Sequence, residues 1–368
     1  MSSSSGPRVA VLGVGLIGGS IGLAARRRLG AAVVGFGRNP ATLARAVELG
    51  ALDRAASSIE DACEGAEMVF CAGPVAVLPE QGAAALAACG PEAVVSDVGS
   101  TKGELVAALG SDERFIGGHP LAGAETAGVE NAREDLFEGA RWYLTPTAHS
   151  SGVLYDRLQR AVSGLGARPQ AIDPASHDRL MATVSHLPHV VANALVAEAA
   201  ASLGGDDGER MPEVGPSFRD TTRVAGSNPA IWADIFSTNR DAVADSVESV
   251  ARRLDEAAAL IRDGDRAAIQ AWHAAAGEDR GRLLDSELQA GPLRELRIFV
   301  ANQPGTMAGL ALTLGEAGVN IEDMALYPAP DMSSGAISLW VAGSEQADRA
   351  AELVRGLGHS VTVLGPGE

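Results

Sequence analysis

The 368-residue sequence has a single lysine, Lys102, and every other fixed cation is an arginine. Its three cysteines, Cys63, Cys71 and Cys89, match neither a metal-ligand spacing nor a disulfide framework. Positive charge is scarce: 29 Lys and Arg against 47 Asp and Glu leave a net charge of −18, spread along the whole chain. That excess argues against nucleic acid and against an anionic membrane surface as partners. It also means that an anionic substrate would need local Arg or His to invert the field. No uninterrupted apolar run reaches the roughly 20 residues that span a bilayer. The polar start "MSSSSGPR" has no signal-peptide core, and a cytoplasmic location is the expectation.

What is present fits a globular chain of two or three domains, with 46% hydrophobic and 21% charged residues. Residues 7–173 alternate short β-branched runs with Ala- and Leu-rich stretches. The strand candidates are 8–13, 32–37, 68–73, 93–98, 114–118, 141–146 and 168–172. This rhythm predicts an α/β fold, a Rossmann-type doubly wound parallel sheet. Residues 174–290 lose the strand signal and predict an all-α helical domain. Within 243–261, Val243, Val247, Val250, Leu254, Ala258 and Ile261 recur at threes and fours, as in a core helix or a helix–helix dimer seam. A Gly/Pro linker at 289–296 precedes residues 294–368, whose βαββαβ order predicts a small α+β module.

"VAVLGVGLIGGSIG" places Gly13, Gly15 and Gly18 as G-x-G-x-x-G between a strand and a helix. The first glycine permits the turn, the second lets backbone approach a pyrophosphate, and the third lets the helix pack on the sheet. The strand–helix context makes this a dinucleotide site. The candidate cofactor residues are Gly13, Gly15, Leu16, Ile17, Gly18, Arg38, Gly73, Pro74 and Ser100. Strand two ends in "GFGRNP", with Gly37 where an acid usually binds the ribose 2′-hydroxyl and Arg38 after it. Arg38 could accept a 2′-phosphate or stack on adenine, so the cofactor is NAD or NADP.

A dehydrogenase needs a base for the hydroxyl proton. "SDVGSTKGEL" (96–105) and "FIGGHPLAGAETAG" (115–128) fall at the carboxyl edge of the sheet and offer Ser100 and His119. Lys102 can pair with Asp97 or face the cofactor phosphates. His186 and His189 lie three apart in "ATVSHLPHVVA" (182–192), which holds no Cys, Asp or Glu to complete a metal site. No metal is expected.

Taken in order, "GVGLIGGS", "SDVGSTK", "GGHPLAGAETAGV", "DLFEGARWYLTP", "HDRLMATVSHLPHVVA" and "FRDTTRVAGSNPAIWADIF" resemble the prephenate dehydrogenase family, its arogenate-using relatives included, over residues 1–290. The tail, with "ELRIFVANQPGTMAGLALTLGEAGVNIEDM", resembles an ACT domain. The resemblance implies oxidative decarboxylation of prephenate to 4-hydroxyphenylpyruvate, with His119 as base and Ser100 orienting it. It implies Arg223 on a substrate carboxylate, Arg219 as a basic neighbour, Glu125 as a gate, and Ser185 and His189 flanking the side chain. His186 then reads as support. The ACT resemblance implies an effector, tyrosine, at Asn302, Gln303, Pro304, Gly305, Asn320 and Ile321, and a homodimer. Three rivals remain. Arogenate dehydrogenase would need an acid for the substrate ammonium. A β-hydroxyacid dehydrogenase would need a lysine on the helical domain, whereas Lys102 is in the N-terminal half. A non-catalytic sensor would not need Ser100, His119, His189 and Arg223 together.

Overall fold

The computed structural model describes residues 6–123, 126–203, 214–285, 293–301, 303, 305–329 and 333–364. The chain forms two compact units, Met1–His177 with Ala290–Glu368, and Asp178–Gln289.

In the first unit the order is β1 (Arg8–Leu12), α1 (Leu16–Leu29), β2 (Ala32–Phe36), α2 (Pro40–Glu48), β3 (Arg54–Ala55), α3 (Ile59–Cys63), β4 (Met68–Cys71), α4 (Leu78–Ala88), β5 (Val94–Asp97) and α5 (Gly103–Leu109). Strands β1 and β4 read RVAVL and MVFC, and nearly every residue in them is buried. Such unbroken apolar runs mark central parallel strands covered on both faces. The sheet order is β3-β2-β1-β4-β5, all parallel. Connections from β1 run to one side through β2 and to the other through β4. The carboxyl ends of β1 and β4 therefore flank the topological switch point, where such sheets bind ligands.

The expected strands beyond β5 do not extend this parallel sheet, which corrects the sequence reading for that part. Strands β6 (Gly117–Pro120), β7 (Arg141–Thr145) and β8 (Arg168–Ala171) form a separate three-stranded sheet, with β6 antiparallel to β7. The strand expected at 114–118 is displaced, because Phe115 makes a lone bridge to Val95. His119 consequently lies inside β6 opposite Tyr143 rather than beyond a strand end. Helix α6 (Gly152–Gly164) joins β7 to β8, and α7 (Pro174–Met181) follows β8.

The C-terminal segment is β9 (Leu293–Ala301), α13 (Thr306–Glu316), β10 (Asp323–Pro328), β11 (Ser334–Ala342), α14 (Ser344–Gly356) and β12 (Ser360–Leu364). It forms a four-stranded sheet in the order β10-β11-β9-β12, with antiparallel pairings throughout. This is the expected βαββαβ pattern, with β9 starting inside the expected linker. The module is not an independent body. One buried apolar cluster runs from Leu154, Leu158 and Ala171 to Met307, Leu310 and Leu314. Glycines permit the close approach: a Cβ on Gly152 would meet Met307, and one on Gly315 would strike the Ala171 carbonyl.

The second unit contains the remainder of α7, then α8 (Leu187–Leu203), α9 (Pro216–Thr222), α10 (Pro229–Thr238), α11 (Arg240–Asp263) and α12 (Arg266–Asp285). Residues Ala182–His186 form a π-helical turn before α8, and Pro188 occupies the second position of α8. The helical run is continuous from Pro174 to Leu203, so Pro188 leaves one interior backbone N–H bond unmade directly after the widened π turn. This run is long and apolar enough on average to cross a membrane, although His177, Asp178, Arg179, His186, His189 and Glu198 interrupt it. The expected apolar stripe on α11 buries only Val243 within the chain, and Leu254 and Ile261 are 63% and 59% exposed. In this chain it is therefore not an ordinary core stripe.

Candidate active site

The glycine loop follows directly from β1. Gly13 has φ +99°, in the left-handed region that favours glycine. A Cβ there would lie 2.6 Å from the Ala72 carbonyl oxygen, because the loops after β1 and β4 touch at the switch point. Gly15 caps the start of α1 and faces open space, whereas a Cβ on Gly18 would collide with the Gly13 carbonyl. Leu16 and Ile17 form the first turn of α1, which carries no acid and no side-chain cap. Its N–H groups and open approach suit a pyrophosphate. The Gly13 N–H donates to the Phe36 carbonyl at 2.8 Å, tying this loop to the end of β2. Gly73 and Pro74 follow β4, and Arg38 follows β2 with its side chain exposed.

At the end of β5 lies a buried ion pair. Asp97 and Lys102 have side-chain exposures of 1% and 0%, and the Lys102 ammonium contacts Asp97 Oδ2. Asp97 also accepts the Gly99 N–H at 2.7 Å and the Gly118 N–H at 2.9 Å. Lys102 donates to the Gly118 carbonyl at 2.8 Å. The pair thus grips both backbone polar groups of the residue preceding His119. Of the two roles open to Lys102, the structure shows the ion pair. Ser100 sits half-buried in the same β5–α5 loop.

His119 is 9% exposed, with Nδ1 2.9 Å from Nε2 of His177. His177, on α7, is fully buried and meets Tyr143 edge-on at 5.7 Å. Burial raises the Tyr143 pKa and keeps the phenol neutral. Sequence reasoning assigned His177 no role. It lies in the quoted "HDRLM" run, but 58 residues separate it from His119 and no local spacing connects them.

In the second unit, Ser185 occupies the π turn and His189 the first turn of α8, both half-buried. The His189 ring stacks on Trp232 at 3.4 Å and 26°. Burial and then the nearby Arg223 charge lower the His189 pKa, opposed by a hydrogen bond with the Val224 backbone. His186 is buried, with Nδ1 3.2 Å from Asn239 Nδ2 and its ring edge-on to Trp232. Asn239 also donates to the Asp178 carbonyl at 2.8 Å. Sequence reasoning gave Trp232 and Asn239 no role. Arg219 lies in the last turn of α9 and Arg223 opens the following 3-10 turn, both exposed. Among the described residues there is no cluster of His, Cys, Asp or Glu that could hold a metal. Glu125, Asn302 and Pro304 lie outside the described residues. In the module, Gly305 precedes α13 with φ +81°, and Asn320 and Ile321 precede β10 rather than starting it. Gln303 and Thr306 line a cleft with Val153, Met307, Leu326 and Ile337.

Two family models match the chain: the prephenate dehydrogenase nucleotide-binding domain over residues 21–170 and the prephenate dehydrogenase dimerization domain over 173–274. Prephenate dehydrogenase of Bacillus subtilis is 29% identical over 357 residues, 94% of this chain and 95% of that protein. Cyclohexadienyl dehydrogenase of Zymomonas mobilis is 31% identical over 244 residues, 64% of this chain and 82% of that protein. Among solved structures, prephenate dehydrogenase from A. aeolicus in complex with hydroxyphenyl propionate and NAD+ is 31% identical. It covers 77% of this chain and 100% of its own, with a TM-score of 0.70. Synechocystis arogenate dehydrogenase is 30% identical over 75% of this chain and 99% of its own, with a TM-score of 0.65. A glycine loop at the switch point and a buried histidine in β6 accord with these matches: the chain belongs to the prephenate dehydrogenase family and is an NAD(P)-dependent oxidoreductase.

Proposed function

We propose that the chain oxidises prephenate to 4-hydroxyphenylpyruvate and CO2, with His119 as the base. The observation that carries the assignment of the base is the His119–His177 pair. We assign His119 Nδ1 as the donor to His177 Nε2, 2.9 Å away, a tautomer that leaves His119 Nε2 as the basic nitrogen. Bound NAD(P)+ supplies the hydride acceptor. His119 Nε2 takes the C4 hydroxyl proton as hydride departs from C4. The ring carboxylate then leaves as CO2 and its bonding pair completes the aromatic ring. His119 returns the proton to the phenolate oxygen, so the step consumes no net proton. Ser100 orients the hydroxyl. The planar fork of Arg223 matches a substrate carboxylate, and Arg219 adds positive potential in a chain of net charge −18. Ser185 and His189 flank the pyruvyl side chain, and Glu125 gates the site. The low pKa of His189 keeps it neutral near pH 7, as a hydrogen-bonding wall requires.

Prephenate is favoured over arogenate by the Bacillus subtilis prephenate dehydrogenase, which aligns along almost the whole of both chains. The βαββαβ order of residues 294–368 supports an ACT assignment for this module. Tyrosine is the proposed effector, with Gln303, Gly305, Asn320, Ile321 and the neighbouring Asn302 and Pro304 at its site. The cleft lined by Gln303 and Thr306 offers apolar walls for an aromatic ring. A homodimer is supported by the dimerization-domain match and by the exposed Leu195, Leu203, Leu254 and Ile261. That match also favours an interface role for the apolar Pro174–Leu203 run, with the protein working in the cytoplasm. The test is a four-way assay: prephenate and arogenate, each with NAD+ and NADP+, with and without tyrosine. Turnover of prephenate with inhibition by tyrosine supports the reading. Turnover of arogenate alone overturns the substrate, and an unchanged rate with tyrosine overturns the effector.

A further inference from the structure

We propose that the nucleotide site selects NADP+ over NAD+, and that Gly37 and Arg38 set the choice. The proposal rests on the glycine loop being the dinucleotide site. Parallel pairing sets Leu12 of β1 against Phe36 of β2, and the Gly13 N–H closes on the Phe36 carbonyl. Residue 37 therefore sits beside the glycine loop at the carboxyl edge. With a pyrophosphate on the first turn of α1, this edge receives the adenosine ribose. An acid at this place accepts a hydrogen bond from the 2′-hydroxyl and repels a 2′-phosphate.

Gly37 removes that repulsion, and the local backbone does not require a glycine there. A Cβ on residue 37 would make only ordinary contacts, 3.6 Å to Leu43 and 4.0 Å to the Val14 nitrogen, and its φ is outside the left-handed region. The missing side chain leaves both space and neutrality next to the ribose.

Arg38 supplies the opposite charge. It is exposed and has no hydrogen bond or ion pair among the described residues. Its neighbours in this fold differ. Arg26 pairs with Asp53, Arg45 with Glu48, and Arg54 with Asp61. Those pairs also engage acids around β2, α2 and β3: Asp53 accepts the Val33 N–H and Asp61 the Ser57 N–H. The first turn of α2 carries no acid. In a chain with 47 acidic residues, Arg38 thus keeps an uncommitted guanidinium at the ribose edge. A phosphate dianion matches that planar fork, whereas a 2′-hydroxyl gives it little to hold.

The test is calorimetric titration of the full chain with ADP-ribose and with 2′-phospho-ADP-ribose, together with kcat/KM for NAD+ and NADP+. The phosphorylated ligand is expected to bind at least about tenfold tighter, as one charge-assisted contact would give. Arg38→Ala is expected to lower the affinity ratio by about 10- to 100-fold. Gly37→Asp is expected to invert it. Equal or tighter binding of ADP-ribose by the unaltered chain overturns the proposal. So does an Arg38→Ala variant that weakens both ligands alike, which would mark Arg38 as an adenine-stacking residue. If neither ligand binds, the dinucleotide reading of the glycine loop fails and the proposal falls with it. Selective failure leaves ADP-ribose binding intact, so the two failures are distinguishable.

Discussion

Lys102→Met would leave the Asp97 carboxylate buried opposite a methionine. Both side chains are essentially inaccessible to water, so the carboxylate could not recover its lost partner by hydration. The N–H groups of Gly99 and Gly118 would still donate to it but carry no full charge. Removing one partner of such a pair costs about 3–5 kcal/mol. For a domain of this size each kcal/mol lowers Tm by about 2–4 °C, which gives a fall of roughly 6–20 °C. Scanning calorimetry measures it. The double variant Asp97→Asn/Lys102→Met removes both charges and should recover part of the loss. Recovery is incomplete because an amide oxygen cannot replace two carboxylate oxygens that accept from two separate N–H groups. The Gly118 carbonyl also loses its Lys102 donor, so turnover should fall as His119 loosens in β6. A single variant within about 1 kcal/mol of the unaltered chain would refute the buried-pair reasoning.

His177→Phe keeps an aromatic ring against Tyr143 but removes the ring nitrogen that hydrogen-bonds His119 Nδ1. A buried polar group left without that partner costs about 1–3 kcal/mol, and kcat should fall while nucleotide affinity, by titration with ADP-ribose, does not. Gly13→Ala strains a φ of +99° and drives a methyl into the Ala72 carbonyl. ADP-ribose affinity should drop at least about tenfold, a loss of about 1.4 kcal/mol. His189 has a lowered folded-state pKa, so the unfolded chain takes up this proton first as pH falls. Its neutral form supports folding above the unfolded value of about 6.5, and that contribution is lost as pH drops from there toward the lower folded-state pKa. His189→Gln should therefore lose less Tm than the unaltered chain between pH 7.5 and pH 5. An equal or larger loss contradicts the shift.

The central strands were legible because β1 and β4 are unbroken apolar runs, and the glycine loop because its spacing has a strand before it and a helix after it. Strand β3 was not, since its two residues are exposed and held by only two pairings with β2. The position of β6 depends on β7, an antiparallel partner more than 20 residues on, which periodicity within 114–118 cannot reveal. The same limit hid His177, whose role depends on a packing partner in another element. The shared core of the module and α6 was also invisible, because Gly152 and Gly315 read as ordinary helix glycines until a neighbour is seen against them. It changes one experiment: deleting 294–368 would strip apolar cover from Leu154, Leu158 and Ala171 as well as remove an effector site.

The most direct test of the account is the turnover of prephenate by His119→Asn, followed by cofactor absorbance and by release of CO2, with ADP-ribose titration alongside. The account predicts kcat reduced by about 10²–10⁴-fold, as loss of a general base gives, with ADP-ribose affinity retained. A variant that still turns over prephenate within about tenfold of the unaltered chain would contradict the assignment of His119 as the base.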